Sequence, residues 1–263
     1  MGACAVALVA AFVRPAAAEE PDPNKPVEVM TLPKGAWAVN AFIEMNLSKG
    51  SSFKPVSIVP DGWYGIDDKL SAGLVHSSIA MTGFVGGVAD SLCVTGIDNG
   101  CAKLYKTVGG LARYRLEAPY VVEGGLVVSN TQPFLLDLKL GAGARWRFKK
   151  YTVELGPNLF VALTQRSSGS DLTAPHSQRL NVPATGGYAV SKKLELQAQL
   201  GFSVPFSRAG DYFTFPFAIG GRYVHDAHLS VGLMFALPAL VRGDALAGGF
   251  DIRTLTLGVS YAK

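Results

Sequence analysis

A two-residue alternation sustained over unusually long spans constrains this chain more than any other feature. From Phe134 to Phe148 the even positions are Phe134, Leu136, Leu138, Leu140, Ala142, Ala144, Trp146 and Phe148, all apolar. The odd positions between them include Asp137, Lys139, Gly141, Gly143, Arg145 and Arg147. Leu194 to Phe206 repeats the pattern, with Leu196, Ala198, Leu200, Phe202 and Val204 set against Glu195, Gln197, Gln199 and Ser203. Tyr151 to Leu163 does so again. Successive side chains of a strand point to opposite faces, so each span presents one apolar and one polar face. Soluble strands commonly stop after about 5–6 residues. A tilted strand that crosses a bilayer needs about 9–11.

Composition narrows the choice. Hydrophobic residues make up 49% of the 263 and charged residues only 17%, below the roughly 25% usual in soluble domains. Past the first twenty positions, Gly, Pro, Asp or Arg interrupts every apolar stretch. A polytopic helical membrane protein, which needs runs of about 18 or more apolar residues, is therefore excluded. A large soluble β protein and a membrane β-barrel remain.

The connections favour the barrel. Short turns fall at Asp67-Asp68, Glu117-Ala118-Pro119, Lys149-Lys150, Ser191-Lys192-Lys193 and His225-Asp226-Ala227. Polar, mostly longer loops fall near 48–52, 79–103, 129–133, 165–178, 207–212 and 241–250. These divide the chain into about twelve strands, with ten to fourteen compatible with the pattern. The expected fold is a single all-β antiparallel up-and-down barrel over residues 35–263. Residues 1–18 read as a cleaved signal peptide: Ala5 to Val13 is a short apolar core, and Ala16-Ala17-Ala18 suits a signal peptidase. One departure is that Arg14 follows the apolar core and no basic residue precedes it. Residues 19–34 form a periplasmic N-terminal segment in this reading.

Export bears on the cysteines. Once Cys4 leaves with the signal peptide, Cys93 and Cys101 remain, and an oxidising compartment makes a disulfide the expected state, two free thiols the alternative. With 24 basic against 20 acidic residues, dispersed along the chain, nothing points to nucleic acid. No cofactor and no metal site is expected.

The alternating strands, the signal peptide and the terminal segment Leu255-Thr256-Leu257-Gly258-Val259-Ser260-Tyr261 resemble a bacterial outer-membrane β-barrel protein. The stretch Gly65 to Leu74 resembles a turn-and-strand pattern of transporter- and porin-like barrels of Gram-negative bacteria. The likeness implies residence in the outer membrane, contact with its lipid and lipopolysaccharide, a monomeric state and a small solute as cargo. Aromatics at strand ends, Trp37, Trp146, Phe148, Tyr151, Tyr188, Phe213, Tyr223 and Tyr261, then suit interfacial girdles.

Parity directs a charged set inward: Arg113, Arg115, Arg145, Arg147, Arg222, Lys139, Glu117, Glu123, Glu154, Glu195 and Asp137. Two readings stand. A basic arc facing an acidic arc would make a constriction that sorts solutes of a passive channel by charge and size. The same charges could pair into a network that rigidifies a sealed structural or adhesive barrel with partner-binding external loops. A third reading is an outer-membrane hydrolase. It takes His76 and Ser78 as a base and nucleophile on one lipid-facing strand face, near its external end, although no Asn or Asp on Leu104 to Leu116 is placed to orient His76. The expectation is no enzyme.

Overall fold

The computed structural model describes residues 30–51, 53–86, 91–170, 174–246 and 249–263. The signal peptide assigned to residues 1–18, residues 19–29 of the N-terminal segment and Cys4 lie outside the described residues. The strands are Trp37–Asn46 (β1), Val56–Gly65 (β2), Leu70–Val75 (β3), Leu92–Cys93 (β4), Val108–Arg115 (β5), Tyr120–Thr131 (β6) and Phe134–Phe148 (β7). They continue with Tyr151–Leu155 (β8), Asn158–Ala162 (β9), Arg179–Ala189 (β10), Leu194–Pro205 (β11), Thr214–Val224 (β12), Leu229–Arg242 (β13) and Thr254–Ala262 (β14).

Each strand pairs antiparallel with its neighbours, and β1 pairs with both β2 and β14, in register from Ala38↔Ala262 to Asn46↔Thr254. The sheet therefore closes. Its wall has twelve staves, because β8 and β9 together make one and the short β4 lies outside the series, pairing with Ser57 and Ile58 of β2. The β8–β9 break falls at Gly156-Pro157, within the span expected as one continuous strand. Proline has no N–H to give to the ladder, yet its carbonyl still accepts from Ala142 N at 3.0 Å, and Gly156 N donates to Pro183 O at 3.1 Å. The stave bends there without losing its neighbours.

All five expected turns join strands at one rim, and side chains pin three of them. Asp67 Oδ1 accepts from Lys69 N and Leu70 N, each at 2.7 Å. Asp226 Oδ1 accepts from His228 N at 2.8 Å and Leu229 N at 2.9 Å. Ser191 Oγ accepts from Lys193 N and Leu194 N in the same way. These are side-chain mimics of backbone turns. The amides of Lys69 and Leu70, in that order, hold the Asp67 carboxyl below the ordinary carboxylate range, and those of His228 and Leu229 do so for Asp226. Their stabilising effect is thus present at neutral pH and is lost as pH falls through the lowered values.

At the opposite rim two expectations change. The connection near 129–133 is no loop: β6 runs to Thr131 and β7 starts at Phe134, so only Gln132 and Pro133 intervene. A register shift between Val128 and Asn130 absorbs the extra residue and lets the ladder run almost to the tip. The long 79–103 connection is not wholly external either, because its first part folds into the barrel. Its return leg carries the Cys93–Cys101 disulfide, with Cα atoms 5.9 Å apart.

The outer face is apolar. Leu200, Ile219, Leu126 and Leu74 are all more than half exposed; in water such a belt would aggregate, in hydrocarbon it is solvated. At the short-turn rim Trp37 stacks on Tyr261 (5.3 Å between centroids), Tyr151 on Tyr188 (5.2 Å) and Tyr120 edge-on to Trp146 (6.4 Å). Phe148 and Tyr223 stand exposed in the same band, as do Tyr64 and Tyr114. Phe213 belongs to the other rim, against Phe215 at 5.8 Å.

A charge placed on the outer belt should be costly. Leu200→Arg, at the middle of β11, should destabilise the protein by about 2–4 kcal/mol in urea unfolding from lipid vesicles. Gln197→Arg, on the inner face of the same strand, should cost distinctly less.

Candidate functional site

The inward charges do not form two facing arcs. The antiparallel register sets opposite charges directly across from one another on adjacent strands: Arg113↔Glu123, Arg145↔Glu154 and Glu195↔Arg222. Glu123 accepts from Arg113 Nε and, on its other oxygen, from Lys139 Nζ. Arg145 Nε donates to Glu154 Oε2 at 2.8 Å, and Arg222 Nη2 lies 3.5 Å from Glu195 Oε2. Cross-strand pairing is the short-range answer available to unlike charges on one sheet face. Two members of the expected set stand apart. Glu117 is not on the lumenal wall, since β5 ends at Arg115 and leaves it exposed in the following turn, where its carbonyl accepts from Tyr120 N. Arg115 turns to the neighbouring turn, its Nη2 donating to Asp68 O at 2.6 Å. Arg147 lines a small cleft at the short-turn rim together with Glu195 and Arg222.

The lumen is crossed by a segment that sequence reasoning placed outside. β3 stops at Val75, and the short helix α1, Ser78–Thr82, follows. Asp61, on the inner face of β2, forces the change of direction: its Oδ1 accepts from His76 N (2.7 Å) and Ser77 N (2.9 Å), and its Oδ2 from the Ser77 hydroxyl. Ser77 Oγ in turn accepts from Ala80 N at 3.0 Å, capping α1. Beyond the helix, residues 83–86 run on to the far wall. Lys139 Nζ donates to Ala80 O (2.7 Å) and Asn158 Nδ2 to Thr82 O (2.9 Å). Gln199 grips the strap twice, accepting from Val85 N and donating to Gly83 O, each at 2.8 Å. A Cβ on Gly86 would come within 2.6 Å of Thr254 Oγ1 on β14, so the segment reaches the last strand.

The segment gives the lumen an apolar core. Ala80 and Met81 pack with the inward Trp63, Val75, Leu111, Val127 and Phe160, and Val85 packs with Ala218, Met234 and Ala236. Arg113 lies over the Trp63 ring at 4.0 Å, joining the charged and apolar parts. From the short-turn end the N-terminal residues enter as well. Leu32 N donates to Ser71 Oγ at 2.7 Å and its side chain joins the same cluster. Two lumenal glycines accommodate these entries: an added Cβ would stand 2.5 Å from the Met30 methyl at Gly143 and 2.8 Å from Phe84 at Gly201.

The His76–Ser78 pair no longer shares a strand face, because Ser78 opens α1. The ring nitrogens of His76 meet Pro60 O at 2.6 Å and Tyr105 OH at 3.2 Å. At the loop rim Asp137 contacts His176 Nε2 at 3.1 Å. Asp61, Ser77, Asn158 and Gln199 were not singled out from the sequence. For Asp61 and Asn158 the signal was present, since they are polar inward residues beside the apolar inward Val59, Trp63 and Phe160; Gln199 is one of several polar inward residues of β11, and Ser77 lies off the strands.

No protein-family model and no curated protein sequence matches the chain. Solved structures do share its fold. An outer membrane channel from Pseudomonas putida F1 aligns over 91% of this chain and 99% of its own, with 14% identity and a TM-score of 0.53. The NanC porin aligns over 85% of this chain and 98% of its own, with 10% identity and a TM-score of 0.56. The chain has the closed twelve-strand antiparallel architecture of bacterial outer-membrane β-barrel proteins.

Glu123 is the charge whose loss should matter most. Glu123→Gln strands Lys139, whose side chain is 3% exposed, with no counter-charge from that oxygen pair. Breaking a buried pair in this way should cost about 3–5 kcal/mol, read as a lower urea midpoint with the lipid-facing belt unchanged.

Proposed function

We propose that the protein is an outer-membrane channel for small hydrophilic solutes whose constriction is set by the inward-folded segment 76–86. The barrel stands as a monomer in this reading, its short turns in the periplasm and its loops toward lipopolysaccharide. The observation that carries the proposal is the manner in which the segment is held. Three walls reach it with single polar side chains, Lys139, Asn158 and Gln199, each donating to or accepting from strap backbone rather than pairing it as a further strand. Hydrogen bonds of this kind contribute about 0.5–1.5 kcal/mol each, more for the charged one. A handful of them ties a segment across a lumen without merging it into the wall. The similarity of fold to a channel and a porin supports the same reading. The paired arginines and glutamates then serve as a frame that keeps the short-turn half of the lumen from collapsing, with polar residues left to meet a passing solute.

The apolar packing of Met81 and Leu32 on Trp63, Val75 and Phe160 favours a second reading, a barrel sealed permanently by this core. Conductance in planar bilayers separates the two. The channel reading expects small unitary steps for the wild type and severalfold larger steps for Gln199→Ala and for a variant in which a Gly-Ser linker replaces residues 78–86. Absence of conductance in all three proteins, each shown to be folded by its heat-modifiable gel mobility, overturns the channel and leaves the sealed barrel.

A further inference from the structure

The loop rim holds a second polar site, separate from the strap. A solvent-open cleft of about 250 Å³ lies between the connection that follows β9 and the one that follows β11. Its lining carries one guanidinium, Arg166, one imidazole, His176, and one amide, Gln178. Four hydroxyls complete it, from Ser167, Ser168, Ser177 and Ser207. No carboxylate and no aliphatic side chain is among these seven residues. The cleft therefore offers a cation and several hydrogen-bonding groups, with no aliphatic wall for a hydrophobic ligand.

The donors are held in place by the fold. Arg166 gives its Nε–H to Ala162 O at 2.7 Å, which fixes the guanidinium plane at the end of β9. His176 is clamped at three points: its backbone N donates to Ser167 Oγ (3.1 Å), Nδ1 lies 3.3 Å from Gln165 O, and Nε2 lies 3.1 Å from Asp137 Oδ1. An isolated bridge between Ser167 and His176 closes this connection on itself. The hydroxyl of Ser207 donates to Ser168 O at 3.3 Å, joining the two sides of the cleft. Asp137, which is not among the lining residues, is already in contact with His176. Arginine forks and hydroxyl donors together are the chemistry that recognises phosphate-like oxyanions.

We propose that this cleft is a binding site for small hydrophilic solutes that carry a phosphate group, with Arg166 as the charged contact and the hydroxyls of Ser167 and Ser168 as hydrogen-bond donors. Binding here does not depend on whether the barrel conducts, so the site stands or falls apart from the channel reading. The phosphate could belong to a free solute or to the phosphates of a neighbouring lipopolysaccharide, and the proposal takes the free solute.

The test is isothermal titration of the full chain, purified in detergent free of lipopolysaccharide, with glycerol 3-phosphate and with glycerol. The expected result is saturable binding of glycerol 3-phosphate, no binding of glycerol, and a loss of affinity of about tenfold in Arg166→Gln, with gel mobility showing that the variant is folded. Equal affinity in wild type and variant, equal binding of glycerol, or no binding of glycerol 3-phosphate overturns the site. Titration after adding purified lipopolysaccharide to the micelles distinguishes the two sources. Unchanged affinity supports the solute, whereas abolished binding reassigns the cleft to the lipid phosphates and overturns the proposal as stated.

Discussion

Hydrocarbon offers no hydrogen-bonding partner to a peptide group, and each unsatisfied N–H or C=O left there costs several kcal/mol. The β1–β14 ladder is how this chain meets that condition: pairing of the first strand with the last removes both edges of the sheet at once. Once the sheet is closed, the alternation of side chains separates two environments completely. Everything on the outer face must dissolve in lipid, and everything polar is forced into a space of fixed width. The cross-strand ion pairs, the anchored strap and the entering N-terminal residues are all consequences of having to fill or frame that space.

The outer half of this arrangement could be read from the sequence with little loss. Lipid imposes an uninterrupted requirement, so Leu136 to Phe148 and Leu194 to Phe206 keep strict parity, and three of the five turns carry the Asp or Ser that turn geometry favours. The inner half was harder to read for a physical reason. Parity assigns a residue to the lumen but says nothing about what it meets there, and the partner of Glu123 lies on β5 as well as β7. Of the two readings of these charges, the facing arcs ordered residues by depth alone; the observed register pairs them by neighbour, as in the network reading.

The strap shows what a broken pattern can mean. β2, β5 and β6 blur the alternation because Val59, Trp63, Leu111 and Val127 are apolar on the inner face. In a water-filled lumen those residues would have no reason to be apolar. Here they are the wall of a core whose other half is Met81 and Ala80. The same blur at Pro60-Asp61-Gly62 conceals the residue that redirects the chain. A buried carboxylate is tolerated only when its oxygens are satisfied, and Asp61 meets the requirement with the amides of His76 and Ser77 and the Ser77 hydroxyl. An acid between the apolar Val59 and Trp63 on the inner face was thus the trace of an inserted segment, although parity alone could not distinguish it from an ordinary lumenal charge.

Both ends of the inserted segment are held by one strand. Asp61 of β2 holds its outgoing leg, and Ser57 and Ile58 of the same strand pair with Cys93 and Leu92 on its return. β3 and β5, between which it is inserted, are themselves adjacent in the wall. The segment is therefore an excursion that leaves and rejoins the rim beside a single post, and no part of the chain is threaded through the barrel to place it. Any displacement that keeps both ends on β2 and releases the bonds from Lys139, Asn158 and Gln199 is a swing about β2, so the barrel could close first and receive the segment afterwards, as a gate is hung on a standing frame.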